Sequence, residues 1–333
     1  MATSIWFVLL ASLGAAHVVT TVFRLTSLLS FGLRRPKDLR RRYGSWAVVT
    51  GPTTGIGRSM ALELAAHGLN IVLVGRDPAK LRDVADAIVR SHAVQTKTVL
   101  FDFSLISTVQ GEKAMAALRE AVEGVDVGVV VNNAGVVRPG AMFLHEADVE
   151  ALVRMIRVNA VALTEVTAAV LPGMMERGRG AVVNIGSGSS DTLPSFPLYS
   201  VYAGTKAYVS VLSRSLSVEY KSKGIDVQCQ VPLLVKTNMI SDAVKNVFLP
   251  LFLVSPEAYA REAVRAIGHG RVCVPSAVHR LQAAWSILPI PEFVVDSYRL
   301  RLHLQQRGIK SSRSPHTSQD RLLDYQDVGR KTS

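Results

Sequence analysis

Residues 46–58 read WAVVTGPTTGIGR, a short β-branched run that breaks into three glycines and then into helix-forming residues. Gly51, Gly55 and Gly57 therefore sit where a strand turns into a helix. Glycine permits positive φ and lets the backbone come close to a ligand, while the N-terminus of the next helix favours a negative charge. A turn of this kind fits a dinucleotide pyrophosphate, with Thr53 and Ile56 in the same loop. A glycine triplet alone is weak evidence, so the flanking sequence has to supply the context.

It does so in both directions. WAVVT (46–50), NIVLVG (70–75), KTVLF (97–101), VGVVVN (127–132), GAVVNIG (180–186), DVQCQV (226–231) and RVCV (271–274) read as strands. Their near-continuous valine and isoleucine mark strands covered on both faces. Helical stretches fall between them, at about 56–68, 77–92, 106–122, 147–176, 200–222 and 256–268. Strict alternation predicts an α/β fold with a Rossmann-type doubly wound parallel sheet of about seven strands, helices on both faces and a ligand crevice at the strands' carboxyl ends.

The second strand ends in Gly75, Arg76 and Asp77. An acid at this tip accepts from a ribose 2′-hydroxyl, whereas an arginine suits a 2′-phosphate. Arg76 comes first, so the cofactor expected is NADPH, with Asp77 as the residue that would favour NADH. YSVYAGTKAY (199–208) raises a different question, because three tyrosines share ten residues with one lysine. A phenol titrates near ~10 and needs a nearby cation to act at neutral pH. Helix positions four apart share a face, and only Tyr202 has a lysine, Lys206, at that spacing.

The chain has 333 residues, 48% of them hydrophobic, and a formal net charge of +12. The charge lies at the ends, with +6 from Arg24 to Arg42 and +5 from Arg299 to Ser333. Basic residues spread over a folded face would suit nucleic acid, and this distribution excludes that reading. Residues 1–23 carry no charged side chain, and Ser4 to Phe23 is long enough to cross a bilayer. No basic region precedes it, which favours an uncleaved anchor over a secretory signal. The basic run behind it predicts a cytosolic body. Three regions follow: anchor and basic segment at 1–42, a Rossmann-type domain at 43–275, and an apolar extension with a basic tail at 276–333. The apolar stretches 232–256 and 285–295 contain proline and suit a substrate lid, a surface on the bilayer, or core. Cys229 and Cys273 lie in strand-like runs and read as buried thiols.

Gly51/Gly55/Gly57, NNAG (132–135), Asn159, NIGSGSS (184–190) and Tyr202/Lys206 together resemble the short-chain dehydrogenase/reductase family in order and spacing, over about residues 45–275. RRRYGSWAVVTG, LPGMMERGRGAVVNIGSG, PLYSVYAGTKAY and VEYKSKGIDVQCQVP are similar to its plant very-long-chain 3-oxoacyl-CoA reductases, which serve microsomal fatty-acid elongation. Hydroxysteroid dehydrogenases are more distant kin.

The resemblance implies a role for each matching residue. Tyr202 would donate the proton, its acidity raised by Lys206, and Lys206 would also hold the nicotinamide ribose. A serine would bond the substrate carbonyl. Spacing from the tyrosine selects Ser189, while position at the end of the fifth strand selects Ser187, the preferred choice because a loop absorbs insertions. Asn159 would hold a water that relays protons to Lys206. Asn133 would pin the central strand, Asp102 would accept from adenine, and Thr237 would meet the carboxamide. Pro232-Leu233 departs from the family's Pro-Gly, which affects the substrate side. No metal is called for. The resemblance further implies a long-chain acyl-CoA substrate, an endoplasmic-reticulum membrane location and possible contacts with other elongation subunits, and it leaves a homodimer open. The final RKTS (330–333) is a loose retrieval signal. A steroid or retinoid dehydrogenase and a non-catalytic scaffold are the competing readings.

Overall fold

The computed structural model describes residues 2–30, 34–239, 252–284 and 290–313. The central sheet has seven parallel strands: β1 Trp46–Thr50, β2 Asn70–Gly75, β3 Thr96–Leu100, β4 Val127–Asn132, β5 Gly180–Ile185, β6 Ile225–Gln230 and β7 Val272–Cys273. Their order, β3-β2-β1-β4-β5-β6-β7, reverses beside β1, so the crevice at the carboxyl ends opens between β1 and β4. All seven were legible as valine-rich runs, and β4 and β5 are buried along their whole length.

Alternate side chains feed two cores. Val49, Val129, Val131 and Val183 pack with Met60, Leu64 and Tyr259 on one face. Val48, Val130, Val182 and Val227 pack with Val166, Val170 and Met174 on the other. In chain order the helices begin with α1 (Ala2–Ser30), α2 (Leu39–Arg42), α3 (Gly55–Ala66), α4 (Pro78–Ser91) and α5 (Val109–Val122). They continue with α6 (Val149–Ile156), α7 (Ala162–Arg177), α8 (Gly188–Asp191) and α9 (Ser200–Glu219), then α10 (Pro256–Arg265), α11 (Ala277–Ala284) and α12 (Glu292–Arg313). The expected single helix over 147–176 is interrupted: a π-helical stretch, Arg157–Val161, separates α6 from α7.

The N-terminal apolar helix meets the body at Ala277–Ala284, and its window Ile5–Phe23, not buried in the protein, is a candidate membrane span. Part of the basic run behind it is tied to the sheet's amino-terminal end. Lys37 Nζ donates to the Gly268 carbonyl at 2.6 Å, the Tyr43 hydroxyl donates to Asp226 at 2.6 Å, and Arg40 donates to the Gly68 carbonyl at 2.8 Å. Both cysteines are free and buried, as expected. Most of the 232–256 stretch (240–251), residues 285–289 and the terminal RKTS lie outside the described residues.

Candidate active site

The site is assembled at the carboxyl ends of β1, β4, β5 and β6. At the end of β1, Thr50 Oγ1 accepts from the backbone N–H groups of Asn133 and Ala134, each at 3.0 Å. Asn133 Nδ2 donates back to the Thr50 and Gly51 carbonyls, also at 3.0 Å. Asn133 thus fastens the glycine turn to β4. Gly51 has φ +62 and Gly55 φ +55, where a side chain would be strained. At Gly57 a Cβ would stand 2.2 Å from Asn133 Nδ2 and 2.3 Å from the Gly51 carbonyl oxygen, so nothing larger fits. Thr54, the N-cap of α3, makes no side-chain cap, which leaves the helix N-terminus to an outside anion. Thr237 faces this turn across the crevice, its Cγ2 lying 3.0 Å from where a Gly55 Cβ would be.

At the tip of β2, Arg76 is exposed. Asp77 is occupied, because its carboxylate caps α4 by accepting from Lys80 N at 3.1 Å and pairs with Lys80 Nζ at 2.9 Å. That leaves Arg76 as the charge a phosphate can find at this tip. Beyond β3, Asp102 Oδ1 accepts from Ser104 N at 2.9 Å and from Ser104 Oγ at 2.8 Å, so the carboxylate serves as a turn cap at the rim. The donor set and the glycine cradle fit a dinucleotide carrying a 2′-phosphate.

The catalytic candidates meet between β5 and α9. Ser187 follows β5 and is the N-cap of α8, its Oγ accepting from Ser189 N at 3.2 Å. The Ser189 hydroxyl donates to Ser187 Oγ at 2.9 Å. Ser187 is also the side chain whose hydrogen bonding draws the Tyr202 phenol downward, so of the two serines it is Ser187 that faces the phenol. Lys206 lies one turn beyond Tyr202 on α9, only 6% exposed, with Nζ 6.0 Å from the Tyr202 ring centroid. Nζ donates to the Ile185 carbonyl at 2.9 Å.

Electrostatics here differ from the expectation. Burial pushes the Tyr202 phenol above its ordinary value, opposed by the Ser187 hydrogen bond. Lys206 Nζ is turned to the Ile185 carbonyl, and burial drops Lys206 itself to about 8. Burial therefore keeps Tyr202 in its protonated form.

Asn159 sits in the π-helical stretch, where such bulges often mark functional positions. Its Oδ1 accepts from Val136 N at 2.8 Å, and its Nδ2 donates to the Val136 carbonyl at 2.9 Å and to Thr205 Oγ1 at 3.1 Å. A Cβ at Gly135 would lie 3.5 Å from both Asn159 Oδ1 and Lys206 Nζ, so the two groups border one small space over Gly135. Sequence reasoning missed a buried polar ladder. Asn132 Nδ2 donates to Asn184 Oδ1 at 2.8 Å and to Thr167 Oγ1 at 2.9 Å, and Asn184 Nδ2 donates to Ser213 Oγ at 2.9 Å. This ladder locks β4 and β5 to α7 and α9, which aims Tyr202. Asparagine at the ends of two otherwise apolar strands was the available signal.

The short chain dehydrogenase family matches residues 45–247. A very-long-chain 3-oxoacyl-CoA reductase-like protein of Arabidopsis thaliana is 47% identical over 279 residues, covering 83% of this chain and 86% of that protein. The very-long-chain 3-oxoacyl-CoA reductase of Homo sapiens is 35% identical over 77% of this chain and 80% of its own. An inactive hydroxysteroid dehydrogenase-like protein 1 of Homo sapiens is 37% identical over 79% of this chain and 77% of its own. Among solved structures, a short-chain dehydrogenase from Sphingobium yanoikuyae in complex with NADPH superposes with TM-score 0.61 at 27% identity, covering 82% of this chain and 98% of that one. The matched family, the parallel sheet and the assembled Ser187, Tyr202 and Lys206 agree: the chain belongs to the short-chain dehydrogenase family of oxidoreductases.

Proposed function

We propose that this chain is an NADPH-dependent reductase that converts long-chain 3-oxoacyl-CoA thioesters to 3-hydroxyacyl-CoA at the endoplasmic-reticulum membrane. One observation carries it: at the end of β5 the buried phenol of Tyr202 faces Ser187, with the buried Lys206 one turn behind. NADPH, when bound in the cradle, would supply the hydride. The turn of Gly51, Thr53, Gly55, Ile56 and Gly57 would hold its pyrophosphate, Arg76 its 2′-phosphate and Asp102 its adenine amine. Thr237 would hold the carboxamide and Lys206 the ribose hydroxyls.

On the substrate side, Tyr202 donates its proton to the ketone oxygen and Ser187 donates a hydrogen bond to the same oxygen. Ser189 holds Ser187 in place. Lys206 and Asn159 border the space over Gly135, through which a water returns the proton. The acyl-CoA assignment is supported by the relatives named for that reaction in Arabidopsis and human. Similarity to relatives named inactive supports a second reading, a scaffold without turnover. Detergent-solubilised protein incubated with NADPH and a panel of 3-oxoacyl-CoAs and ketosteroids separates them. Cofactor oxidation on the acyl thioesters alone supports the reductase; oxidation on steroids alone reassigns the substrate, and none on either favours the scaffold.

A further inference from the structure

The helix α12 has two committed faces, and only one of them meets protein. Its inner face, with Leu302, His303 and Gln306 buried, grips the loop that leads into Tyr202. Ser195 Oγ donates to Asp296 at 2.5 Å, and His303 Nδ1 donates to the Pro197 carbonyl at 2.6 Å. His303 also stands edge-on to Phe196 and Tyr199, with centroids 4.7 and 5.1 Å apart. Arg307 clasps Glu146 with two bonds of 2.7 and 2.9 Å. The outer face is exposed and mostly apolar, with Ser297 as a polar member. Phe293 (70% exposed), Leu300 and Leu304 fall at i, i+7 and i+11, along one line of the helix. Val294, Tyr298 and Arg301 flank that line, and Ile290 precedes it.

We infer that this outer face, with the exposed Leu281 of α11, rests on the surface of the bilayer that α1 crosses. The location is set by α1. It packs against α11, and among its described side chains only Thr21 is partly covered, near the end of the Ile5–Phe23 window. Helix α11 therefore lies at the level where the span leaves the hydrocarbon, and α12 continues from the same region of the chain. An exposed apolar stripe flanked by an arginine and a tyrosine is the composition that lies in a lipid interface. The same helix then presents the loop before Tyr202 to the lipid phase that holds long acyl chains. This inference rests on α1 spanning a membrane and is independent of the substrate assigned above.

Full-length protein in lipid nanodiscs, one chain per disc, tests it. Cys229 and Cys273 are buried, so a nitrobenzoxadiazole label goes to a thiol introduced at Phe293→Cys or, separately, Leu304→Cys. Val109→Cys on α5, another exposed apolar position, is the reference, and Leu13→Cys reports the span. The label at 293 and at 304 is expected to shift to the blue and to be quenched by nitroxide-bearing lipids at least threefold more than at 109. Quenching no greater than at 109 overturns the inference, as does a blue shift without lipid quenching, which marks cover by protein. An unquenched label at 13 removes the span and the inference with it. NADPH binding by each labelled chain verifies the fold without using turnover.

Discussion

Ser189 donates to Ser187 at 2.9 Å, and Ser187 faces the Tyr202 phenol, so the two serines act in series. Removing one oxyanion-type donor lowers kcat by about 10²–10³. Ser187→Ala should show a loss of that order. Ser189→Ala, which only loosens Ser187, should lose less than about tenfold by the same reasoning. Steady-state NADPH oxidation by both variants measures this, and the reverse order would move the catalytic role to Ser189.

Tyr202→Phe keeps the ring and removes the donor, so turnover should fall by about 10²–10⁴ while NADPH binding, read by cofactor fluorescence, is retained. Burial holds the phenol above its ordinary value, so the donor form persists through neutral pH. Reduction should thus show no loss from Tyr202 as pH rises through 7, and the reverse oxidation, which needs the phenolate, should increase toward alkaline pH. A reduction rate that titrates away below pH 7 with Tyr202 intact would remove the phenol as the acid.

Lys206 is lowered from 10.5 in the unfolded chain to about 8 by burial. Between those values the unfolded chain binds more protons, so stability rises with pH there, and below about 8 the fold carries the whole penalty of a buried ammonium. A displacement of that size corresponds to about 3 kcal/mol. The lost bond to Ile185 offsets about 1 kcal/mol of it. Lys206→Met should therefore be inactive and yet more stable, by about 2 kcal/mol at pH 7, with the gain shrinking toward pH 10. Thermal unfolding in detergent at several pH values measures this, and a lower melting temperature at pH 7 would contradict it.

The strands were legible because β1, β4 and β5 are valine runs buried on both faces, a pattern that neither a solvated strand nor an amphipathic helix produces. Spacing also gave the shared face of Tyr202 and Lys206. It could not give the direction of the lysine amine, because the carbonyl it binds belongs to Ile185, 21 residues earlier. The π-helical stretch was invisible for a related reason: RVNAV is ordinary helix sequence, and the bulge is fixed by two bonds between Asn159 and Val136. Spacing from Tyr202 pointed to Ser189 and the end of β5 to Ser187, and of the two it is Ser187 that acts on the phenol. The basic run before Tyr43 read as part of the membrane-anchoring region, whereas Lys37 and Tyr43 reach Asp226, far along the chain.

Cofactor choice turns on Arg76 and Asp77, neighbours with opposite charge and different employment. Arg76 is exposed at the tip of β2, while Asp77 is held below its ordinary carboxyl value by Lys80, whose side chain and backbone N–H both bond it. A charge-assisted bond from arginine to phosphate contributes about 1.5–3 kcal/mol. Arg76→Ala should raise KM for NADPH by about 10–100-fold on that basis and leave KM for NADH within about twofold. Asp77→Ala should act on the helix instead, destabilising α4 through loss of its cap without changing the preference between the cofactors. Kinetics with both cofactors, beside thermal unfolding of the same two variants, separate these effects. If Asp77→Ala instead weakens NADH selectively, the carboxylate leaves its cap to reach the ribose, and Arg76 is not what sets the preference.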